Sequence, residues 1–155
     1  MLAVRVAQRE VGAAGLRFEA GTTSLPSDEM EFDDEALIRA VLNLARNACL
    51  HSGSDLLLLE LRGTGAEGSS GLEVRVLDRG RGIPQREQRR IFEPFRQAEV
   101  AGEKPKGTGL GLPIAKEIAV AHRGTLRVTA GLPREAEPSG HGAGFVLHIP
   151  AASRT

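Results

Sequence analysis

Residues 74–83 read Val-Arg-Val-Leu-Asp-Arg-Gly-Arg-Gly-Ile, and the interpretation of the whole chain starts from them. The run that ends at Leu77 predicts a strand, and Asp78 is the first residue after it. Gly80 and Gly82 allow the backbone to approach another group closely, because no Cβ stands in the way. An ordinary turn would also explain this composition, since Asp and Gly dominate turns. The motif therefore gains meaning only from its neighbours along the chain.

A second motif, Asn-Leu-Ala-Arg-Asn-Ala at residues 43–48, lies inside a predicted helix that spans about 34–50. Asp33 is a suitable N-cap for this helix. Its buried stripe recurs at helical spacing and comprises Leu37, Val41, Leu44 and Ala48. Asn43 and Asn47 are four residues apart and so project on the same side. An Asn oxygen is a suitable Mg²⁺ ligand, although two polar residues on a helix flank would be the ordinary interpretation of an isolated pair.

Two further motifs follow in order. Residues 91–95 read Ile-Phe-Glu-Pro-Phe, and residues 107–112 read Gly-Thr-Gly-Leu-Gly-Leu directly before a second predicted helix. Backbone N–H groups at such a glycine-rich helix start can hold phosphate. A dinucleotide fingerprint is excluded because Leu112 occupies its third glycine position, and a P-loop is excluded because Thr108 stands where Lys is required.

The ordered set resembles the N, G1, F and G2 boxes of histidine-kinase catalytic domains, which belong to the Bergerat-fold family with the gyrase-type and Hsp90-type ATPases. The resemblance covers about residues 30–150. It implies ATP and Mg²⁺ as ligands, with Asn47 coordinating the metal and Asp78 reading adenine. Phe92 and Phe95 would anchor one end of an ATP lid, which the polar stretch at 96–106 would form. The nucleotide-binding positions that the resemblance implies are Asn47, His51, Asp78, Gly80, Gly82, Ile83, Phe92, Phe95, Lys106, Gly107, Thr108, Gly109, Leu110, Gly111 and Leu112, with Asn43 and Asn47 as the catalytic pair.

Several positions depart from the resembled pattern. Many family members carry Lys or Arg and then an aromatic residue where this chain has Leu50 and His51. His51 could stack on the base, or it could simply cap the helix end. Bergerat ATPases place a Glu at the position of Asn43, whose amide cannot accept a proton at neutral pH. Phosphoryl transfer is therefore favoured over strong ATP hydrolysis. Lys104 and Lys106 lie just before the glycine-rich motif, close enough in sequence for their ammonium groups to reach phosphate oxygens. Lys106 is the stronger candidate for a phosphate contact.

Composition narrows the function classes. The 20 Lys and Arg balance 20 Asp and Glu, so no sequence-wide field attracts a nucleic acid. With five Phe and no Tyr or Trp, the chain also lacks the stacking aromatics of single-strand binders. The single cysteine, Cys49, fits a reducing compartment and a core position. Without a membrane-spanning apolar run or a signal peptide, we expect a cytoplasmic domain that makes no membrane contact itself, although a longer parent protein could be membrane-anchored.

Strands in adjacent pairs with helices between them predict an α+β fold rather than a Rossmann alternation. We expect a two-layer sandwich with a mixed, mostly antiparallel sheet and helices on one face, as the resemblance also implies. Residues 1–29 would form a helix and strand lead-in, 30–150 the ATP-binding domain, and 151–155 a tail. Short helices are predicted at 5–14 and 86–92, strands at 16–20, 55–62, 72–77, 126–129 and 145–149, and a helix at 111–122 that Gly124 ends.

No histidine lies in the context of a phosphoacceptor, so the acceptor would belong to a separate dimerisation domain of the same or a related kinase. The leading hypothesis is therefore the catalytic domain of a two-component histidine kinase, with a response regulator as an indirect partner. The alternatives are a degenerate nucleotide-binding or docking module, which Leu50 favours, and a serine kinase of the anti-sigma type. A stand-alone ATPase fits least well, because of Asn43.

Overall fold

The computed structural model describes residues 2–23, 32–65, 71–95, 107–135 and 140–151. Three helices and five strands follow in the order α1 (Leu2–Ala13), β1 (Arg17–Thr23), α2 (Asp34–His51), β2 (Leu56–Thr64), β3 (Gly71–Asp78), α3 (Gly111–Ala121), β4 (Thr125–Pro133) and β5 (His141–Pro150). The predicted lid, residues 96–106, lies outside the described residues. Lys106, the last residue of that segment, is therefore not described either.

The strands form one sheet in the order β1-β2-β3-β5-β4. β1 is parallel to β2, and every other neighbouring pair is antiparallel. This confirms the predicted mixed, mostly antiparallel sheet, and the two predicted strand pairs, β2 with β3 and β4 with β5, are both antiparallel. The parallel pairing of β1 and the position of β5 between β3 and β4 were not predicted, because strand order depends on contacts between distant segments.

The core lies between one face of the sheet and the helices. Alternate residues of the strands point to that face, such as Leu57, Leu59 and Leu61 of β2, and they pack with α1, α2 and α3. On the opposite face, Glu60 forms ion pairs with Arg62 and Arg75 at 2.9 and 3.6 Å. The apolar and charged faces confirm the two-layer arrangement with helices on one side.

Helix α2 is the central element of the helical layer and contacts both α1 and α3. Asp33 is its N-cap, as predicted, and its carboxylate accepts a hydrogen bond from the Ala36 N–H at 3.0 Å. All four residues of the predicted stripe are buried. Helix α1 buries Ala7 and Val11 in the same core, and Glu10 of α1 pairs with Arg46 of α2 at 3.1 Å.

Two sequence-based expectations about helices were wrong. The segment predicted as a helix at 86–92 is a series of turns with only a 3₁₀ turn at Arg90–Phe92, so no α-helix forms there. Helix α3 ends through Arg123 rather than Gly124, since Arg123 has the left-handed φ of 58°. The Gly124 N–H donates to the Ala119 carbonyl at 2.8 Å and completes a Schellman motif. Glycine is needed at 124 for space, because a Cβ there would lie 2.0 Å from the His148 carbonyl oxygen.

In the described segments, no helix combines the length and the apolar character needed to cross a membrane.

Candidate nucleotide site

Asp78 ends β3 in the interior of the protein, where it is only 3% exposed. Its Oδ1 accepts hydrogen bonds from the Gly80 N–H at 2.8 Å and from the Ala143 N–H at 3.1 Å. Burial raises the pKa of this carboxyl group, and the two backbone hydrogen bonds partly oppose that shift. Both hydrogen bonds end on the same oxygen, so among the described residues Oδ2 is left to accept a hydrogen bond from a ligand.

Two glycines that sequence reasoning missed make room around Asp78. A Cβ at Gly142 would lie 2.1 Å from the Asp78 carbonyl oxygen, and a Cβ at Gly131 would lie 2.3 Å from the same atom. Glycine inside a strand often marks a close backbone approach, so their positions near the ends of β4 and β5 were an available signal. The partner of that approach could not be identified without the strand order.

The loop after Asp78 is packed directly on the C-terminal end of α2. A Cβ at Gly80 would lie 2.0 Å from the Ser52 carbonyl oxygen, and the same oxygen accepts a hydrogen bond from the Arg81 N–H at 2.9 Å. Gly82 has a left-handed φ of 74° and lies against the His141 carbonyl oxygen. Gly80 is thus required by its close approach to Ser52, and Gly82 by its left-handed φ. A simple turn would not need both features.

The first asparagine of α2 faces the start of α3. Nδ2 of Asn43 is buried and has no hydrogen-bond partner among the described residues. The Cβ position of Gly111 lies 3.9 Å from the Asn43 Cγ, so the amide is next to the first turn of α3. A buried donor without a partner is costly, which makes this amide a candidate ligand contact.

The second asparagine, Asn47, is half-buried one turn further along α2. Its side chain makes no hydrogen bond with any residue in the described ranges. An amide oxygen in this state suits Mg²⁺, which takes few protein ligands and usually completes its coordination with water and substrate phosphates. Among the described residues, no three His, Cys, Asp or Glu side chains are grouped to hold a metal ion.

The glycine-rich motif before α3 has the left-handed backbone that only glycine adopts freely. Gly107 and Gly109 have φ values of 76° and 71°. The Thr108 Oγ1 accepts a hydrogen bond from the Leu110 N–H at 3.3 Å, and α3 begins at the next residue, Gly111. Leu112 points into the core and is 8% exposed.

The two phenylalanines of the third motif have different environments. Phe92 packs edge-to-face on Phe145 of β5, with ring centroids 6.4 Å apart, and Lys116 Nζ lies 5.6 Å from the Phe92 ring centroid. Phe95 is 77% exposed and has a positive φ of 61°. Its N–H donates to the Gly109 carbonyl at 3.0 Å, so the third and fourth motifs are joined at the point where the predicted lid begins.

The remaining predicted positions lie around these groups. Ile83 packs against the core, His51 is the last residue of α2, and Leu110 precedes α3. A cleft of about 380 Å³ borders Gly82 and Ile83 on the β4 side, and its walls also include Val128 and His141. Neither asparagine nor Asp78 lines this cleft, so it is adjacent to the predicted site rather than identical with it.

An ion network that the sequence did not predict joins the loop to two other segments. Arg79 Nε and Nη2 donate to the two carboxylate oxygens of Asp55 at 2.6 and 2.5 Å, and Nη1 donates to Glu135 at 2.7 Å. The guanidinium lowers the pKa of Asp55 to about 2, and Asp55 in turn raises the pKa of Arg79. The Arg79 N–H also donates to the Ser54 Oγ at 3.1 Å.

A family model described as histidine kinase-, DNA gyrase B-, and HSP90-like ATPase matches residues 32–153, which is most of the chain. The chain belongs to this ATPase family. As a member, it is an ATP-binding domain, and the fold is the Bergerat fold that its four motifs predicted.

Proteins with sequences similar to this chain include sensor histidine kinases. The sensor-like histidine kinase SenX3 of Mycobacterium tuberculosis is 32% identical over 148 residues, which cover 94% of this chain and 33% of SenX3. The chain thus spans about a third of the length of these curated relatives.

Solved histidine-kinase structures share the fold. The mycobacterial sensor histidine kinase MprB has a TM-score of 0.73 and 27% identity, and the match covers 98% of this chain and 93% of that structure. Full-length ShkA in complex with AMPPNP has a TM-score of 0.72 and 25% identity, over 99% of this chain and 29% of ShkA. The extent of both matches confirms the α+β class and the Bergerat architecture.

Proposed function

We propose that this chain is the catalytic domain of a two-component sensor histidine kinase, which binds Mg·ATP and donates the γ-phosphate to a histidine on a separate phosphoacceptor domain. The acceptor domain belongs to the same or a related kinase, and a response regulator receives the phosphate from it. Residues 30–150 carry the nucleotide site, with 1–29 as its lead-in, and the domain works on the cytoplasmic side, where ATP is available.

Purine recognition is assigned to Asp78. The two backbone N–H groups hold Oδ1 in place, so Oδ2 has a fixed position from which to accept a hydrogen bond from the exocyclic amine of adenine. Because the carboxylate is buried, this bond forms with little competition from water. Ile83 and the backbone of Gly80 and Gly82 would border the base.

The phosphate end is assigned to α2 and to the start of α3. Asn47 would hold Mg²⁺, which neutralises phosphate charge when bound. The buried Nδ2 of Asn43 would donate to a phosphate oxygen, and the N–H groups at 107–111 would receive the phosphates beside the positive end of α3.

One observation carries this proposal: the buried Nδ2 of Asn43, which has no hydrogen-bond partner within the described ranges, lies beside Gly111 at the N-terminus of α3. A packed helix flank would be expected to satisfy or expose such a donor. Here the unsatisfied donor and the glycine-rich helix start adjoin each other, and this combination suits an anionic ligand between them.

Transfer to a partner is favoured over hydrolysis by the chemistry of residue 43. An amide cannot take a proton from water, so this position supplies no general base. Phosphoryl transfer depends mainly on positioning and charge neutralisation, which the assigned residues can provide. The attacking imidazole would come from the acceptor domain.

Binding should be measured by calorimetry with ATP, with and without Mg²⁺. We expect Asn47→Ala to remove the Mg²⁺ dependence and Asp78→Ala to weaken both ATP and ADP binding by at least about tenfold, since each removes a hydrogen bond or metal contact to a charged group. Arg46→Ala is the matched control, because Arg46 lies on α2 beside Asn47 but pairs outward with Glu10. Unchanged affinity in both site variants would refute the assignment.

Transfer should be measured with radiolabelled ATP and an added phosphoacceptor domain from a sensor kinase. We expect label on the acceptor domain, little free phosphate from this chain alone, and no label when the acceptor histidine is replaced. ATP binding without any transfer would favour the second candidate function.

That second candidate is a nucleotide-binding module without transfer, and Leu50 favours it. Leu50 is 44% exposed, and its Cδ1 lies 3.4 Å from the Cβ position of Gly107, at the start of the glycine-rich motif. The resembled pattern has a cation at this place. An apolar side chain there supplies no charge to the phosphates.

A further inference from the structure

We infer that Arg79, which occupies the first x position of the Asp-x-Gly-x-Gly motif, is a positioning residue that sets the preference of the site for 6-amino over 6-oxo purines. The inference rests on the proposed role of Asp78. Arg79 would not touch the nucleotide. Its role is to hold the Asp78 carboxylate in the orientation in which it meets the base.

The need for positioning follows from the local backbone. Asp78 is the last residue of β3, and residues 79–84 form no regular secondary structure, so sheet hydrogen bonds do not hold the segment that carries Gly80. The Gly80 N–H is one of the two donors that fix Asp78 Oδ1. If Gly80 moves, the carboxylate loses the bond that defines its orientation.

Arg79 holds this segment from both sides. Asp55 lies immediately before β2, which neighbours β3, whereas Glu135 lies just after β4, at the far edge of the sheet. One guanidinium bonds both, with a two-point contact to Asp55 and a single contact to Glu135. The loop is thereby tied to three strands at the sheet end where Asp78 lies.

The three side chains of this ion network differ in their exposure to solvent. Arg79 is 14% exposed, whereas Asp55 and Glu135 are 69% and 80% exposed. Ion pairs with such exposed carboxylates contribute only modestly to global stability. A bidentate arginine fork nevertheless restricts geometry strongly, because its donors are fixed in a plane. The network is therefore suited to orienting the loop more than to stabilising the fold.

Main-chain hydrogen bonds of Arg79 and Arg81 also hold this loop in place. Its N–H donates to the Ser54 Oγ, and the next-but-one N–H, that of Arg81, donates to the Ser52 carbonyl. Ser52 and Ser54 follow directly on α2, which carries both asparagines. Arg79 thus connects the purine-reading carboxylate to the helix assigned to the phosphate end.

The test compares ATP with inosine triphosphate, which has an oxygen in place of the adenine amine. In the wild-type chain we expect a preference for ATP of at least about tenfold, the value of one hydrogen bond to a charged group. In Arg79→Ala we expect this ratio to fall toward one through weaker ATP binding, with little change in inosine triphosphate affinity. Arg79→Lys should be intermediate, because a single ammonium cannot form the fork.

Arg62→Ala is the matched control, since Arg62 pairs with Glu60 on the charged face of the sheet and lies opposite Glu73, whereas Asp78 lies opposite Leu57. Glu135→Gln is the milder second variant if Arg79→Ala unfolds, and it should also lower the ratio. A thermal melt of each variant shows whether the protein is folded.

The outcomes are distinguishable. If the wild type does not prefer ATP, the assignment of Asp78 fails and this inference fails with it. If the wild type prefers ATP and Arg79→Ala or, where that variant is unfolded, Glu135→Gln retains the full ratio, only the role of Arg79 is refuted. A reduced ratio in these variants with an unchanged ratio in Arg62→Ala supports it.

Discussion

Gly80 lies against the backbone carbonyl of Ser52, with 2.0 Å between the Ser52 oxygen and the place where a Cβ would stand. Backbone atoms at the end of a packed helix cannot yield as a flexible side chain does. This contact seats the loop that carries Asp78 on the helix that carries Asn43 and Asn47. The two ends of the candidate nucleotide site are therefore mechanically linked at one glycine.

Replacement of Gly80 by alanine should separate these two segments. We expect Gly80→Ala to lower the free energy of unfolding by about 1–3 kcal/mol, the usual cost of overpacking, and to weaken ATP binding. Denaturant unfolding measures the first effect and calorimetry the second. Gly12→Ala is the matched control: Gly12 lies in α1 with open space around its Cβ position, so alanine should stabilise the protein by about 0.5–1 kcal/mol. A Gly80→Ala variant as stable as wild type would contradict the contact.

Asp78→Asn should separate stability from binding. Since burial raises the pKa of Asp78, the charged carboxylate costs free energy in the folded state. The associated stability is fully present below the unfolded pKa, near 4, and is lost as the pH rises through the higher folded pKa. At pH 7 we expect Asp78→Asn to be as stable as wild type or more so, because the Asn oxygen can still accept from Gly80 and Ala143.

ATP binding should respond in the opposite way to that substitution. When the Asn oxygen accepts from Gly80 and Ala143, its NH2 group takes the place of Oδ2 and cannot accept from the adenine amine, so we expect the affinity for ATP to fall by about tenfold. Unfolding free energies across pH 4 to 8, compared with ATP affinities at pH 7, measure both quantities. A variant that is strongly destabilised yet binds ATP normally would contradict the structural account of Asp78.

The sequence predicted those features that depend on neighbouring residues. Asp33 as the N-cap and the stripe from Leu37 to Ala48 follow from helical spacing within one segment, and both are confirmed. The helix expected at 86–92 was wrong because its polar residues gave helical propensity without an apolar face to pack; only Ile91 of the 3₁₀ turn is buried. Propensity alone rarely stabilises so short a helix.

The features that were missed depend on segments far apart in the chain. Gly131 and Gly142 have a function only once β3, β5 and β4 are neighbours, and Arg79 finds its partners 24 and 56 residues away. Arg123 adopts the left-handed φ that ends α3, whereas Gly124 is needed because the His148 carbonyl leaves no space for a Cβ at 124. No local pattern contains this information.

Acid should weaken the contact between Arg79 and Asp55. Hydrogen bonding to Arg79 lowers the pKa of Asp55 to about 2, so the stability that this contact provides is present above the unfolded pKa, near 4, and is lost as the pH falls through about 2. We expect thermal melts of Asp55→Asn to show a smaller loss of stability between pH 4 and pH 2 than wild type. Arg79→Ala should likewise lose less stability than wild type between pH 4 and pH 2, because Arg79 is the main cause of the lowered pKa of Asp55. Parallel pH profiles in wild type and Asp55→Asn would contradict the ion pair.

Leu50 offers the most direct way to strengthen the proposed site. Its Cδ1 approaches Gly107, so a lysine at 50 would bring an ammonium group close to the loop at which phosphate is expected. We expect Leu50→Lys to increase the affinity for ATP by about fivefold, equivalent to about 1 kcal/mol, and the gain to shrink as salt is added, because an exposed cation is screened. Leu2→Lys adds the same charge at an exposed apolar position of α1 and should leave ATP affinity unchanged, although it alters the net charge equally. Calorimetry at low and high salt compares the two variants. An equal gain in both would mean that net charge, and not proximity to Gly107, governs the affinity, whereas no gain at Leu50 would place the phosphates elsewhere.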